Sequence, residues 1–189
     1  MKDPVHPPSC TCREHPLPSA MRVRDALDVY LAENGFTAEA YEAAKTTGSF
    51  LGKKFAVPNP PSHRKAIRLH DLHHVATGFG TDHAGEGELS AWQARRGLRG
   101  VGAYVTAIVI MNTGVGLLSA PGRTWAAFKA AGSGRSLFTR DVDYESVLDG
   151  TVGELRAFLG VPDQGLAEVS RGLHAHAPAP RPATSKVRV

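Results

Sequence analysis

A chain of 189 residues, 42% of them hydrophobic, is long enough to bury one core and short for two. Its net charge of +4 suits an anionic surface or ligand, yet the Lys and Arg residues are scattered rather than gathered in one run, which gives nucleic-acid binding no support. The two cysteines, Cys10 and Cys12, both lie in a Pro-rich stretch, so a disulfide framework is excluded and a reducing, cytoplasmic setting is expected.

Residues 1–20 have no continuous apolar run and carry Asp3 and Glu14, which argues against a secretory signal or transit peptide and predicts a disordered leader. The ordered domain is expected from Met21, because Val23, Ala26, Leu27, Tyr30 and Leu31 recur at helical spacing until Asn34-Gly35 ends the pattern. Thr37 is placed to cap a short helix through Ala40, Tyr41 and Ala44, broken at Thr46-Thr47-Gly48. The segment from Phe50 to Pro61 reads as extended or loop, since Pro58, Pro60 and Pro61 forbid regular structure. Ser62 is then placed to cap a helix starting at His63.

That helix carries His70-Asp71-Leu72-His73-His74; glycines 78, 80 and 85 follow, and Glu86 opens the next helix. Residues 101–120 hold no charge between Arg99 and Arg123, a length able to span a bilayer. Gly102, Gly114 and Gly116, with Thr106, Asn112 and Thr113, dilute the hydropathy, so the expectation is a buried core helix or the wall of a lipid pocket. Beyond Pro121-Gly122 come a short helix with Trp125, Ala126 and Phe128, and a loop at 132–134. Thr151 and Glu154 then have capping-box spacing ahead of Leu155, Phe158 and Leu159, with Gly160 and Pro162 as the stop. Residues 173–189, rich in Ala, Pro and basic side chains, predict a disordered tail. No strand pattern or repeat stands out. The fold is read as all-α: a single compact helical domain over 21–172 built around a central metal-binding helix.

At ~100° per residue, Ile67, His70, Asp71 and His74 share one arc of that central helix while Leu69, Leu72 and Ala76 lie opposite. Imidazoles and a carboxylate buried there need a partner to offset desolvation. His70 and His74, four residues apart, aim their rings at one spot, as zincin helices do, and the glycine-rich return brings Glu86 to the same place. A divalent metal, zinc first, is the cofactor these residues suggest. Asp71 is either a fourth ligand or a general base beside a metal-bound water. Glu88 lies about 200° round the helix from Glu86 and should look toward Ala91, Trp92 or solvent. Neither His73 nor His83 is expected to bind the metal.

Other groups point less far. His6, Cys10, Cys12 and His15 lack a scaffold and the usual ligand spacing, and the His-Asp pair lacks the well-separated upstream histidine of phosphohydrolases. Lys54, Arg64 and Arg68 precede the site and are candidate contacts to a lipid head group or phosphate, against the plainer reading of a solvated basic face. Tyr104 and Met111, in the apolar segment, are candidate contacts to the lipid itself.

Around His70, Asp71, His74 and Glu86 the sequence resembles the ubiquinone (coenzyme Q) biosynthesis Coq-four family, whose signature is His-Asp, two residues, His, eleven residues, Glu. The resemblance covers roughly residues 46 to 97. It implies an all-helical domain, a divalent metal usually taken as zinc, peripheral membrane association, a polyprenyl or quinone-precursor lipid ligand, and a role in coenzyme Q biosynthesis with oxidative decarboxylation at ring carbon C1. The chain departs from that family in its shortness, its Pro-rich leader and its Ala-Pro-rich tail. Two readings follow: an enzyme whose metal acts on an oxygen substituent, a water or dioxygen, or a non-enzymatic lipid-binding scaffold of a biosynthetic complex, homo-oligomeric or mixed, with a structural metal. Either would sit in the cytoplasm or on the inner face of the membrane.

Overall fold

The structure, a computed structural model, describes residues 16–50 and 53–167. Among these it forms seven helices: α1 Val23–Asn34, α2 Pro61–Thr77, α3 His83–Arg96, α4 Gly102–Ser119, α5 Pro121–Ala130, α6 Tyr144–Asp149 and α7 Val152–Leu159. Two 3-10 turns, Ala38–Glu42 and Leu137–Thr139, join them. The core is drawn from helices and turns, as an all-α domain requires, with Leu72, Leu89, Trp92, Leu137, Val152 and Leu159 among its fully covered side chains.

One segment is a regular strand pair where no strand pattern stands out in the sequence, although its backbone is extended as read for 50–61. Lys45–Phe50 (β1) and Lys53–Pro58 (β2) pair as an antiparallel hairpin in the register Lys45↔Pro58 to Phe50↔Lys53. Pro58 stands at the hairpin's open end, where a missing N–H is tolerated. The short helix expected from Thr37 is the first 3-10 turn. Helix α2 begins at Pro61 rather than His63: proline needs no N–H partner at the first helical position, and Ser62 does not cap it.

Helix α2 is central. Leu69, Leu72, Val75 and Ala76 are buried against α1 and α7, while His73, His74 and Asp71 are buried as well. Residues 16–20, read with the leader, lie against the domain: Leu17 is buried, and its carbonyl accepts from Arg156 at 2.8 Å. The same buried guanidinium donates to the Ala76 carbonyl at 3.0 Å, tying α7 to the end of α2.

Helix α3 packs chiefly on α4 and α5. Its closest approach is glycine on glycine, where a Cβ added to Gly87 would fall 2.4 Å from the Gly116 Cα. Apart from that crossing, α4 is a surface helix, which overturns the buried-core expectation for 101–120. Only Val105, Val109 and Gly116 are buried, and Leu118 is 89% exposed beside Ile110, Met111 and Leu117. By length and composition α4 alone among the described residues is able to cross a membrane. Its outward apolar side chains are exposed because none of the described segments covers them, so composition reported apolarity without reporting depth.

Candidate metal centre

The last two turns of α2 and the first turn of α3 make the site. Gly78 ends α2 in the left-handed region at φ 77°, which a side chain would strain, and the chain reverses through Phe79 and Gly80. The return is tight: a Cβ on Gly85 would sit 2.2 Å from the Gly80 carbonyl oxygen. Asp82 caps α3 by accepting from the Gly85 N–H at 2.8 Å. Glu86 follows in the first turn, where the helix dipole favours a carboxylate.

These constraints bring His70, His74 and Glu86 together, and one donor atom from each lies within 4.8 Å of the others. His70 Nε2 and His74 Nε2 are 3.1 Å apart; His70 Nε2 is 3.4 Å from Glu86 Oε2 and His74 Nε2 is 3.3 Å from Glu86 Oε1. Metal–ligand bonds of about 2.0–2.1 Å in tetrahedral array place donors about 3.3 Å apart, so the three groups already have the spacing of a bound ion's ligands. His74 Nδ1 lies 2.9 Å from the Phe79 carbonyl, which only accepts, so Nδ1 carries the proton and Nε2 presents a lone pair to the site. The Tyr30 ring stacks on His74 with centroids 5.3 Å apart and covers that side. The His74 side chain is 0% exposed, whereas His70 and Glu86 keep 23% and 27%, so solvent reaches the group from their side.

The electrostatics are mutual. Burial pushes the Glu86 carboxyl up, but the two imidazoles together outweigh it and hold the group well below the usual carboxylate range. Burial likewise pulls His70 down, and the Glu86 charge, with its hydrogen bond, reverses this to a net rise.

Asp71 does not join the group. It sits 100° round the helix from His70 and faces α1 and the first 3-10 turn, where Tyr41 donates to Oδ2 at 2.5 Å and Tyr30 to Oδ1 at 3.3 Å. Burial, then the Asp71 charge, push both phenols well up, so they remain donors. Asp71 thus links α2 to Tyr30 and Tyr41 instead of binding with the histidines. Glu88 does look away from the site, but not toward solvent. It is 1% exposed and forms a two-pronged pair with Arg123 of α5, at 3.0 Å to Nε and 2.7 Å to Nη2. His73 is fully buried and binds elsewhere, and His83 is outside the donor group.

The residues expected to meet a lipid are not gathered here. Arg64 and Arg68 both bind Glu42, at 3.1 and 2.5 Å, and Arg68 also lies over the Tyr41 ring. The Tyr104 hydroxyl donates to the Pro58 carbonyl at 3.0 Å, and Met111 is exposed on α4. The Lys54 side chain, the leader cluster of His6, Cys10, Cys12 and His15, and the tail over 173–189 lie outside the described residues. Tyr30 and Phe79 are site residues that local pattern does not reveal. Gln93, within hydrogen-bond distance of His70, carried a signal: it lies seven residues after Glu86, on the same face of α3.

A helical domain with an open group of two imidazoles and one carboxylate, able to hold a metal ion, is the class that fold and site define. No family model, curated protein or solved structure matches the chain.

Proposed function

We propose that this chain is a metal-dependent enzyme that binds zinc through His70, His74 and Glu86 and acts on a hydrophobic prenylated or aromatic lipid. Its resemblance to the Coq-four family makes ubiquinone biosynthesis the pathway, with ring C1 oxidative decarboxylation as the reaction and dioxygen as the two-electron oxidant, since zinc itself exchanges no electrons. The observation that supports an enzyme over a scaffold is the withdrawal of Asp71 to Tyr30 and Tyr41. Three protein donors leave a coordination position for a substrate oxygen or water, whereas four would close a structural site. When bound, such an ion supplies Lewis-acid polarisation of that oxygen. His70 and Glu86 face the accessible side and orient what enters; Tyr30 and the Phe79 carbonyl hold His74 in place behind them.

The apolar outer face of α4, with Trp125 exposed next to it on α5, supports contact with a lipid surface. The protein then sits peripherally on the inner face of the membrane. Metal analysis tests the centre: wild-type protein holds about one divalent ion per chain and His74→Ala loses it. Equal content in the two proteins removes the site. Iron in place of zinc keeps the site but moves its chemistry toward dioxygen. Flotation with vesicles tests the lipid contact, and alkaline carbonate should release the protein. Resistance to carbonate would mean that α4 spans the bilayer.

A further inference from the structure

Behind His70 lies a buried polar chain that the metal group does not itself require. It runs from the backbone N–H of Leu137, in the second 3-10 turn, to His73 and Gln93 and so to His70. The Leu137 N–H is 3.0 Å from His73 Nε2. The amide of Gln93 reaches both imidazoles at once: its Nε2 position is 3.0 Å from His73 Nδ1 and 3.1 Å from His70 Nδ1, and its Oε1 position has no partner among the described residues.

The first bond fixes the rest. A backbone N–H only donates, so His73 Nε2 must offer its lone pair, and the single proton of that neutral ring sits on Nδ1. An Nδ1–H needs an acceptor, and the only group of Gln93 able to accept is its oxygen. A half-turn of the carboxamide exchanges oxygen for nitrogen without altering its shape. One end of the amide faces no partner in either orientation, so the end toward the imidazoles decides between them. With oxygen there, its two lone pairs accept from His73 Nδ1–H and His70 Nδ1–H together.

We propose that Gln93 is the positioning residue of the metal centre, its carboxamide oxygen accepting from both His73 and His70 and so holding His70 with its Nε2 lone pair toward His74 and Glu86. This role rests on the metal reading of that group and adds its cause. His74 is set by the Phe79 carbonyl and His70 by Gln93, so two lone pairs meet across 3.1 Å beside a carboxylate. A cation in that gap would take both lone pairs and a carboxylate oxygen at once. His73, which binds no metal, acts only through Gln93: it rules out the orientation in which the amide would donate to His70 and leave a proton on Nε2.

Two measurements test the proposal. Long-range nitrogen–proton NMR on the wild type should show His73 as the Nδ1–H tautomer, and an Nε2–H signal there overturns it. Zn2+ competition against a chromophoric chelator should show Gln93→Leu binding 10- to 100-fold more weakly, the scale on which groups behind a ligand act. Gln93→Glu, which can only accept when ionised, should stay within a few-fold of wild type. Equal affinity of Gln93→Leu and wild type, or Gln93→Glu as weak as Gln93→Leu, overturns the positioning role alone. No Zn2+ uptake by the wild type overturns the centre and this role with it. If Gln93→Leu does not fold, the wild-type tautomer and Gln93→Glu still decide.

Discussion

The Tyr41 hydroxyl stands 2.5 Å from Oδ2 of Asp71, and the Tyr30 hydroxyl 3.3 Å from Oδ1. Asp71 is adjacent in sequence to His70, yet its carboxylate belongs to a different group of side chains. Asp71→Asn is therefore expected to keep Zn2+ affinity within a few-fold of wild type. Tyr41→Phe, which strips a buried carboxylate of a donor, should lower stability by about 1–3 kcal/mol with metal stoichiometry unchanged. Chelator competition and thermal melts check both. Loss of metal in Asp71→Asn would return that residue to the ligand set.

Glu86 and Glu88 separate function from stability. Glu86→Gln should weaken Zn2+ retention by ~10-fold or more, since it removes a ligand charge. Glu88→Gln should leave retention alone but destabilise the fold by about 1–3 kcal/mol, because the carboxylate it replaces binds Arg123 with both oxygens in a buried setting. Metal titration and denaturation of both variants give the comparison. Similar behaviour in the two assays would contradict the placement of α3.

Gly87→Ala should destabilise the protein by about 1–3 kcal/mol or more, measured by urea denaturation. The new methyl would meet the Gly116 backbone at 2.4 Å, and no side chain can swing aside to admit it. Gly114→Ala, on the same helix but with nothing within 4 Å of its Cβ, is the control and should be neutral or slightly stabilising. Equal effects would show that α3 and α4 do not cross there.

The capping box gives a pH dependence. The Glu154 carboxylate accepts from the Thr151 N–H at 2.7 Å and from its hydroxyl at 2.9 Å, and these bonds, the backbone one first, lower its pKa below the ordinary 4.5. A carboxyl whose folded pKa is depressed contributes fully above its unfolded value and loses that contribution as pH falls through the folded one. Wild type should therefore exceed Glu154→Gln in stability at ~pH 6, and the gap should narrow as pH falls below the ordinary 4.5. A gap that is constant with pH would assign the effect to shape rather than charge. Adding a chelator to both samples keeps the metal centre out of the comparison.

How much of this was legible in the sequence follows from how local each feature is. His70, His74 and Glu86 stand on neighbouring turns joined by a short glycine return, so spacing alone locates them. The capping box at Thr151 and the stripe from Val23 to Leu31 are local in the same sense. Asp71 misleads because the helical angle that nearly aligns it with His74 also suits two phenols brought from residues 30 and 41, and sequence spacing does not say which neighbour is nearer. Glu88 is alike: the angle excludes it from the centre, but only the fold supplies Arg123. For α4 the composition is clear and the covering partner is not, since burial depends on what lies opposite.

Three consecutive residues of α3 face three different neighbours: Glu86 the histidines, Gly87 the backbone of α4, and Glu88 the guanidinium of α5. A single residue inserted or deleted between Gly78 and Gly85 and carried into α3 as a shift of one position would turn its side chains by about 100° about the helix axis. It would put the wrong side chain against all three at once. The length of the return is thus fixed more strictly than its composition, and relatives of this chain should vary in which residues fill it long before they vary in how many.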